Sequence, residues 1–517
     1  LNVLMITTDQ QRWDTTGFAG NPVIRTPHLD RLAAEGMVCD RSYAASPVCT
    51  PSRASMLTGR YPRIHGAWNV GVDLPAGELT AAQYFREHGY ETAVFGKMHL
   101  RAGHDEFAPG REQSVESIHR NKGTSGEEVD RFWSGFTRDY YGFERLNMTI
   151  QHGNRVVGGG HYDQWLRTNH PEAVDLLEPD HALESPSGAM QSWKAAMPPE
   201  LHYSRWIADT TVQFLREREE QPFFIWCSFP DPHHPLCPPA PYCDMYPPTD
   251  VPLPIPNTGE LECMPPHYEL YYRGQKAQSE WEPGVYPTMG PTGTVSGSYP
   301  LCDMPEAHLR EMIAYYYGLI TLTDEAIGSI LLALDELGLA EDTIVVFNSD
   351  HGDLLGDHGL AFKGPFPYEG IIRVPTVWRW PGVIPAGAKT SALMSHVDLF
   401  PTLAEACELE VPRGVQGVSQ LPVLKGEKDA CRDWVLMEFR ENPRELELKT
   451  IVTDRYKLTY YPGRPYGELF DLRDDPQEKN NLWDDLAVRE VREQMKERLL
   501  EIMCETEDPL PVRYAHS

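Results

Sequence analysis

Four short apolar runs in this 517-residue chain are each followed by side chains that can hold charge or move protons. Residues 3–7 lead into Asp9 and Gln10, residues 92–96 into Lys97 and His99, residues 223–227 into His233, and residues 343–348 into Asp350 and His351. Carboxylates beside imidazoles can bind a cation or relay protons, and ammonium groups can hold an anion. A further candidate is Cys49, in the run Cys49-Thr50-Pro51-Ser52-Arg53 that continues through an apolar, helix-like stretch to Thr58-Gly59. Each residue also has a plainer reading. Free cysteine packs as a small buried hydrophobe, an Asp after a strand commonly caps a helix, and Ser-Asp-His-Gly can be a turn. A lysine and a histidine beside a strand are often surface groups. Reactive groups after four separate runs are nevertheless hard to explain by packing, because open α/β sheets bind ligands beyond the carboxyl ends of their strands.

The runs themselves read as buried parallel strands, being short, continuous and apolar. Helical patterns intervene at 29–35, 80–88, 203–218 and 306–337. This alternation predicts an α/β fold with a mixed, largely parallel central sheet flanked by helices. Residues 101–200 and 237–305 are rich in Gly, Pro, Tyr and His with weak periodicity, and read as inserted lids or substrate walls. From about residue 430 the pattern changes to antiparallel strands, at 434–437, 450–452 and 456–460. The expected organisation is therefore a catalytic domain over 1–430 and a smaller α+β subdomain over 431–517.

With 41% hydrophobic and 24% charged residues the composition is that of a soluble globular protein. A formal net charge of -30 argues against nucleic acid or an anionic membrane as partner. No uninterrupted apolar stretch reaches the roughly 18 to 20 residues of a membrane span. Residues 1–7 lack signal-peptide features, so the expected location is cytoplasmic, with periplasmic or secreted placement open if the chain is processed. The ten cysteines show no C-x-x-C spacing, which removes the usual zinc and dithiol motifs. The expectation is reduced thiols, although four cysteines between 237 and 302 leave one or two disulfides open in an oxidising compartment.

The Cys49 run resembles the signature of type I sulfatases of the alkaline phosphatase superfamily, C-x-P-x-R followed by a hydrophobic residue and Thr-Gly. Gly96-Lys97-Met98-His99-Leu100, Asp231-Pro232-His233-His234-Pro235, Lys363 in Phe362-Lys363-Gly364, and residues 468–482 resemble further elements of that family. The resemblance implies that Cys49 is oxidised to formylglycine by a formylglycine-generating enzyme. It also implies one divalent metal ion held by Asp9, Gln10, Cys49, Asp350 and His351. Oxygen ligands suit Ca²⁺, whereas the imidazole of His351 draws the preference toward Mn²⁺, with Mg²⁺ behind both. The Asp9-Gln10 and Asp350-His351 pairs resemble the metal shell of phosphonate monoester hydrolases, while Lys97 and His99 resemble sulfatases.

The implied activity is hydrolysis of small anionic sulfate monoesters, aryl sulfates first, with promiscuity toward related esters. A formylglycine hydrate attacks sulfur and forms a covalent sulfo-enzyme. Arg53 and Lys97 hold oxygens, His233 and Lys363 serve the leaving group, His99 takes the proton that releases sulfate, and Asn69 donates to a sulfate oxygen. His234 is given only a packing role. The alternatives are a phosphonate monoester or phosphodiester hydrolase with the same nucleophile, and an inactive binding protein of the same fold. The natural substrate and the oligomeric state, including a homo-oligomer, stay open.

Overall fold

The strands predicted from apolar runs lie side by side at the centre of an eight-stranded sheet. The structure, a computed structural model, describes residues 1–103, 114–120, 124–273, 301–441 and 446–509. In chain order the strands are β1 (Asn2–Thr8), β2 (Met37–Cys39), β3 (Ser42–Tyr43), β4 (Glu91–Lys97), β5 (Arg145–Thr149), β6 (Phe223–Ser228) and β7 (Thr343–Ser349). They continue with β8 (Thr376–Arg379), β9 (Ala388–Thr390), β10 (Met394–Ser395), β11 (Val435–Arg440), β12 (Glu447–Val452), β13 (Tyr456–Tyr460) and β14 (Gly467–Asp471). The main sheet runs β5-β4-β6-β1-β7-β8-β2-β9. Neighbours from β5 to β7 are all parallel, and β8 is antiparallel to both β7 and β2.

Every residue of β1, β4, β6 and β7 is buried, as strands covered on both faces must be. Their side chains alternate between two cores. Val3, Met5, Val94, Phe224, Trp226, Ile344 and Val346 enter one, with helix Ala81–Glu87 and helix Leu399–Ala406 packed over them. Leu4, Ile6, Ala93, Phe95, Ile225, Val345 and Phe347 enter the other, beneath helices Pro27–Glu35, Tyr203–Glu217 and Glu306–Glu336. Helix Glu306–Glu336 is long and apolar enough to cross a membrane by length and composition, yet 83% of its most apolar stretch is buried inside the protein. That apolarity serves the core.

The stretch of weak periodicity at 101–200 is more than a wall. It contributes β5, which extends the main sheet beside β4, and helices Gly126–Gly135 and Gly160–Asn169. Residues 104–113, 121–123 and 274–300 of the two inserts lie outside the described residues, as do 510–517 of the C-terminal segment. A separate antiparallel sheet, β11-β12-β13-β14, packs Leu436, Ile451, Leu458 and Leu469 against Met495, Leu499 and Ile502 of helix Arg489–Glu505. All ten cysteines are unpaired.

Gly96 shows how tightly the sheet sets the active end. Its φ is 98°, and a Cβ there would be driven into the Ser228 carbonyl of β6. Gly96→Ala is expected to cost about 3 kcal/mol or more, since it combines a forbidden backbone angle with overpacking. Chemical denaturation checks this, together with loss of activity from displacement of the adjacent Lys97.

Candidate active site

Parallel register brings the first two acids together. Thr8 of β1 pairs with Ser349 of β7, so the next residues, Asp9 and Asp350, emerge as neighbours above the carboxyl edge. Both are fully buried. Gln10 follows Asp9 in a left-handed backbone conformation, φ 68°, which turns the chain back so that its N–H donates to Asp350 Oδ1 at 3.0 Å. The Ala45–Val48 stretch then delivers Cys49 as the first residue of helix Cys49–Thr58, after Val48 with an extended backbone. A helix N-terminus carries partial positive charge and favours an anion.

Ligand atoms of Asp9, Cys49, Asp350 and His351 all lie within 4.8 Å of one another. His351 Nδ1 is 2.8 Å from the Gly352 carbonyl, which places its proton there and leaves Nε2 facing Cys49 Sγ at 3.2 Å. Such outer contacts orient a ligating imidazole. Gln10 Nε2 spends its protons on Asp353 Oδ2 at 2.6 Å and His234 Nδ1 at 3.0 Å. Its Oε1 is buried with no hydrogen-bond partner. A buried oxygen with free lone pairs and no donor, on the residue that follows Asp9, fits a divalent cation.

Cationic side chains close the ring. Lys97, 2% exposed, is 2.5 Å from Asp9 Oδ2. Lys363 Nζ reaches Cys49 Sγ at 2.7 Å, His233 Nε2 at 2.8 Å and His351 Nε2 at 3.1 Å. Burial pushes the Cys49 thiol up, but Lys363, Lys97 and His351 outweigh it and bring the thiol down to about 6. Burial opposes the charge of Asp9 too, and Lys97, Arg53 and Lys363 hold it well below the usual carboxylate range. Arg53, Lys97 and Lys363 gather around Asp9, Asp350 and Cys49, which concentrates basic side chains at one point of a protein of net charge -30. That cluster can take an anionic ester out of water.

Three expected roles change. Arg53 is fully buried and donates to Asp350 Oδ2 at 2.7 Å, the Lys97 carbonyl at 2.9 Å, Ser228 Oγ at 2.8 Å and Asp9 Oδ2 at 3.2 Å. With these four bonds it orients the carboxylates and has little left for a substrate oxygen. Asn69 donates to the carbonyls of Arg440 at 2.7 Å and Glu441 at 3.3 Å, tying its loop to the end of β11; its amide bonds no member of the cluster. His234, expected only to pack, holds Gln10 while its ring lies tilted against Phe362 with centroids 3.9 Å apart.

His233 donates from Nδ1 to the His234 carbonyl at 2.5 Å and presents Nε2 to Lys363. Burial, the neighbouring His152 and Lys363 all hold it well below the ordinary imidazole range, so it is a neutral acceptor. His152 went unread in the sequence: it follows β5, and its ring stacks on His233 with centroids 3.6 Å apart. Nothing in its local pattern signals this contact. Asp353, three residues after Asp350, was not singled out in the sequence either, since its partner Gln10 lies 343 residues away. His99 stands beyond β4 with φ 53°, and burial followed by Lys97 and Arg53 keeps it neutral.

A carboxyl-edge site of this make-up on a mixed, mostly parallel sheet with a separate antiparallel sheet defines the class, an alkaline phosphatase-like hydrolase. Residues 1–409 match the sulfatase family, and residues 356–505 match the C-terminal region of N-sulphoglucosamine sulphohydrolase. The chain belongs to the sulfatase family, whose members are sulfuric ester hydrolases. It is 32% identical over 495 residues to an arylsulfatase of Clostridium perfringens, covering 93% of this chain and 90% of that one. It is 29% identical to the multifunctional alkaline phosphatase superfamily protein PehA of Trinickia caryophylli, covering 94% and 92%. Among solved structures, the phosphonate monoester hydrolase of Agrobacterium radiobacter superposes with a TM-score of 0.79 at 26% identity, covering 98% and 96%.

Proposed function

We propose that this enzyme hydrolyses small sulfate monoesters, aryl sulfates foremost, to phenol or alcohol and sulfate, with weaker activity on phosphate and phosphonate esters. The observation that carries the reading is Cys49 at a helix N-terminus, in contact at once with Lys363 and the Asp9–Asp350–His351 cluster. Cys49, oxidised to formylglycine by a formylglycine-generating enzyme, supplies the nucleophile and carries the sulfuryl group as a covalent sulfo-enzyme. Asp9, Gln10, Asp350 and His351, with the modified Cys49, hold one divalent ion that supplies Lewis-acid charge.

The remaining steps fall to side chains. Lys97 has one N–H bonded to Asp9 and others to offer a sulfate oxygen. Arg53 keeps Asp9 and Asp350 in place. Lys363 donates a proton toward the leaving oxygen, and neutral His233, whose Nε2 accepts from its ammonium, holds it in place. His99, whose Nδ1 is buried and unpartnered, takes the proton whose removal releases sulfate.

Lys363→Ala should therefore lower kcat/KM about 10²-fold on an alkyl sulfate, whose leaving oxygen needs a proton, and less than about tenfold on nitrophenyl sulfate. Equal losses on both substrates would remove Lys363 from the leaving-group role.

A second reading, phosphonate monoester hydrolysis, is favoured by Gln10 and His351 in the metal shell. Comparing kcat/KM for nitrophenyl sulfate and a phenylphosphonate monoester decides between them. The sulfate is expected to lead by about tenfold or more; the reverse order would transfer the enzyme to the second reading.

A further inference from the structure

His99 is held at the site by its main chain and not by bonds of its own ring. Its φ of 53° lies in the left-handed region that β-carbon-bearing residues avoid, and its Nδ1 has no hydrogen-bond partner. The next residues are gripped from outside the sheet. Glu116, 4% exposed, lies in the short turn Val115–Ser117. Its Oε1 accepts from the Leu100 N–H at 3.0 Å, the Arg101 N–H at 3.2 Å and the Tyr140 hydroxyl at 3.0 Å. Asp73 takes the following Ala102 N–H at 2.7 Å and the Arg101 side chain at 3.1 Å, and the Leu100 carbonyl accepts from Leu74 at 2.8 Å.

We propose that Glu116 is a positioning residue for the reaction: by accepting the two amides that follow His99, its carboxylate aims the His99 ring at the reacting centre. Successive N–H groups converging on one acceptor form a concave binding turn for an anion, and here the anion is a side chain of the same molecule. A buried carboxylate without a cation bonded to it is costly unless donors compensate. Three donors on one oxygen offset part of that cost, while burial still pushes the Glu116 carboxyl up to about 7, and two of the donors belong to the backbone that sets the direction of His99. Tyr140 braces that oxygen from beside β5, so the insert that looked like a wall reaches into the catalytic machinery. The proposal rests on the proton-accepting role given to His99 above.

The experiment is a double-mutant cycle on matured, metal-loaded enzyme with nitrophenyl sulfate, accompanied by melting temperatures. Glu116→Ala should lower kcat about tenfold to fiftyfold without raising KM, as displacement of a catalytic group does. Glu116→Gln, which keeps a carbonyl acceptor for the amides, should return to within about fivefold of wild type. In a His99→Ala background, Glu116→Ala should cost less than about twofold more, because the group it aims is gone. Additive losses in the double variant would overturn the proposal, as would an activity loss that Glu116→Gln does not repair. If Glu116→Ala does not fold, Tyr140→Phe removes one donor of the three, and its smaller loss of about threefold should likewise vanish without His99. Normal turnover by His99→Ala would sink the role of His99 and this one with it. A severe His99→Ala loss that is uncoupled from Glu116 would sink this one alone.

Discussion

Cys49→Ser is expected to lower kcat by roughly three orders of magnitude or more and to accumulate as a sulfated protein. The substitution leaves the fold nearly untouched, since Cys49 is 1% exposed and serine is close in volume. The new hydroxyl would keep the position at the start of helix Cys49–Thr58, within reach of Lys363 and beside Asp9. One attack on the ester is therefore possible. Release is the problem, because a serine ester has no second hydroxyl from which His99 could take a proton, and direct attack by water is left as the slow exit. A single burst of nitrophenol matching the enzyme concentration, with a sulfate-sized mass gain on the peptide containing residue 49, is the predicted signature. Sustained turnover by the serine variant would contradict the mechanism at its release step.

Asp350→Asn should be the most damaging change among the ligands, because that side chain serves three partners. Its Oδ2 accepts from Arg53 Nε at 2.7 Å, and its Oδ1 accepts the N–H groups of Gln10 at 3.0 Å and His351 at 2.9 Å. An amide there brings N–H toward a guanidinium or toward two backbone donors and removes one negative charge from the metal site. Metal affinity is expected to fall by more than about 10²-fold. In chelator, stability is expected to fall by about 3–5 kcal/mol, the penalty for leaving a buried cation short of its partner. Isothermal titration with Mn²⁺ and Ca²⁺ and denaturation of the metal-free protein read the two effects separately. Unchanged metal binding would remove Asp350 from the ligand set. An unchanged metal-free stability would mean that Arg53 is compensated by Asp9 alone.

How far the site could be read from the chain depended on how local its causes were. β1, β4, β6 and β7 were legible because each is a continuous apolar run, and Asp9, Lys97, Asp350 and His351 were legible because they follow those runs within three residues. β5 was not: Arg145–Thr149 is short and mixed in polarity, and becomes a strand by pairing along β4. Helix Arg489–Glu505 was passed over because most of its surface is charged, although Met495, Leu499 and Ile502 do recur at helical spacing. Asn69 shows the opposite case. Its place after the Cys49 run suggested a sulfate contact, while the fold gives its amide to the carbonyls at the end of β11.

The kinds of chemical group available at the site, and the helix start that presents Cys49, were written in local order. What each group is free to do was not. Arg53, Gln10 and Lys97 look equally available in one dimension, yet the order β4-β6-β1-β7 brings residues hundreds of positions apart to hydrogen-bonding distance. There the donors of Arg53 are taken by Asp9, Asp350 and the Lys97 carbonyl, both amide protons of Gln10 are taken, and Lys97 keeps donors to spare. Hydrogen-bonding capacity is finite and short-ranged, so the division between orienting and reacting groups emerges when the strands pair and the donors find their acceptors.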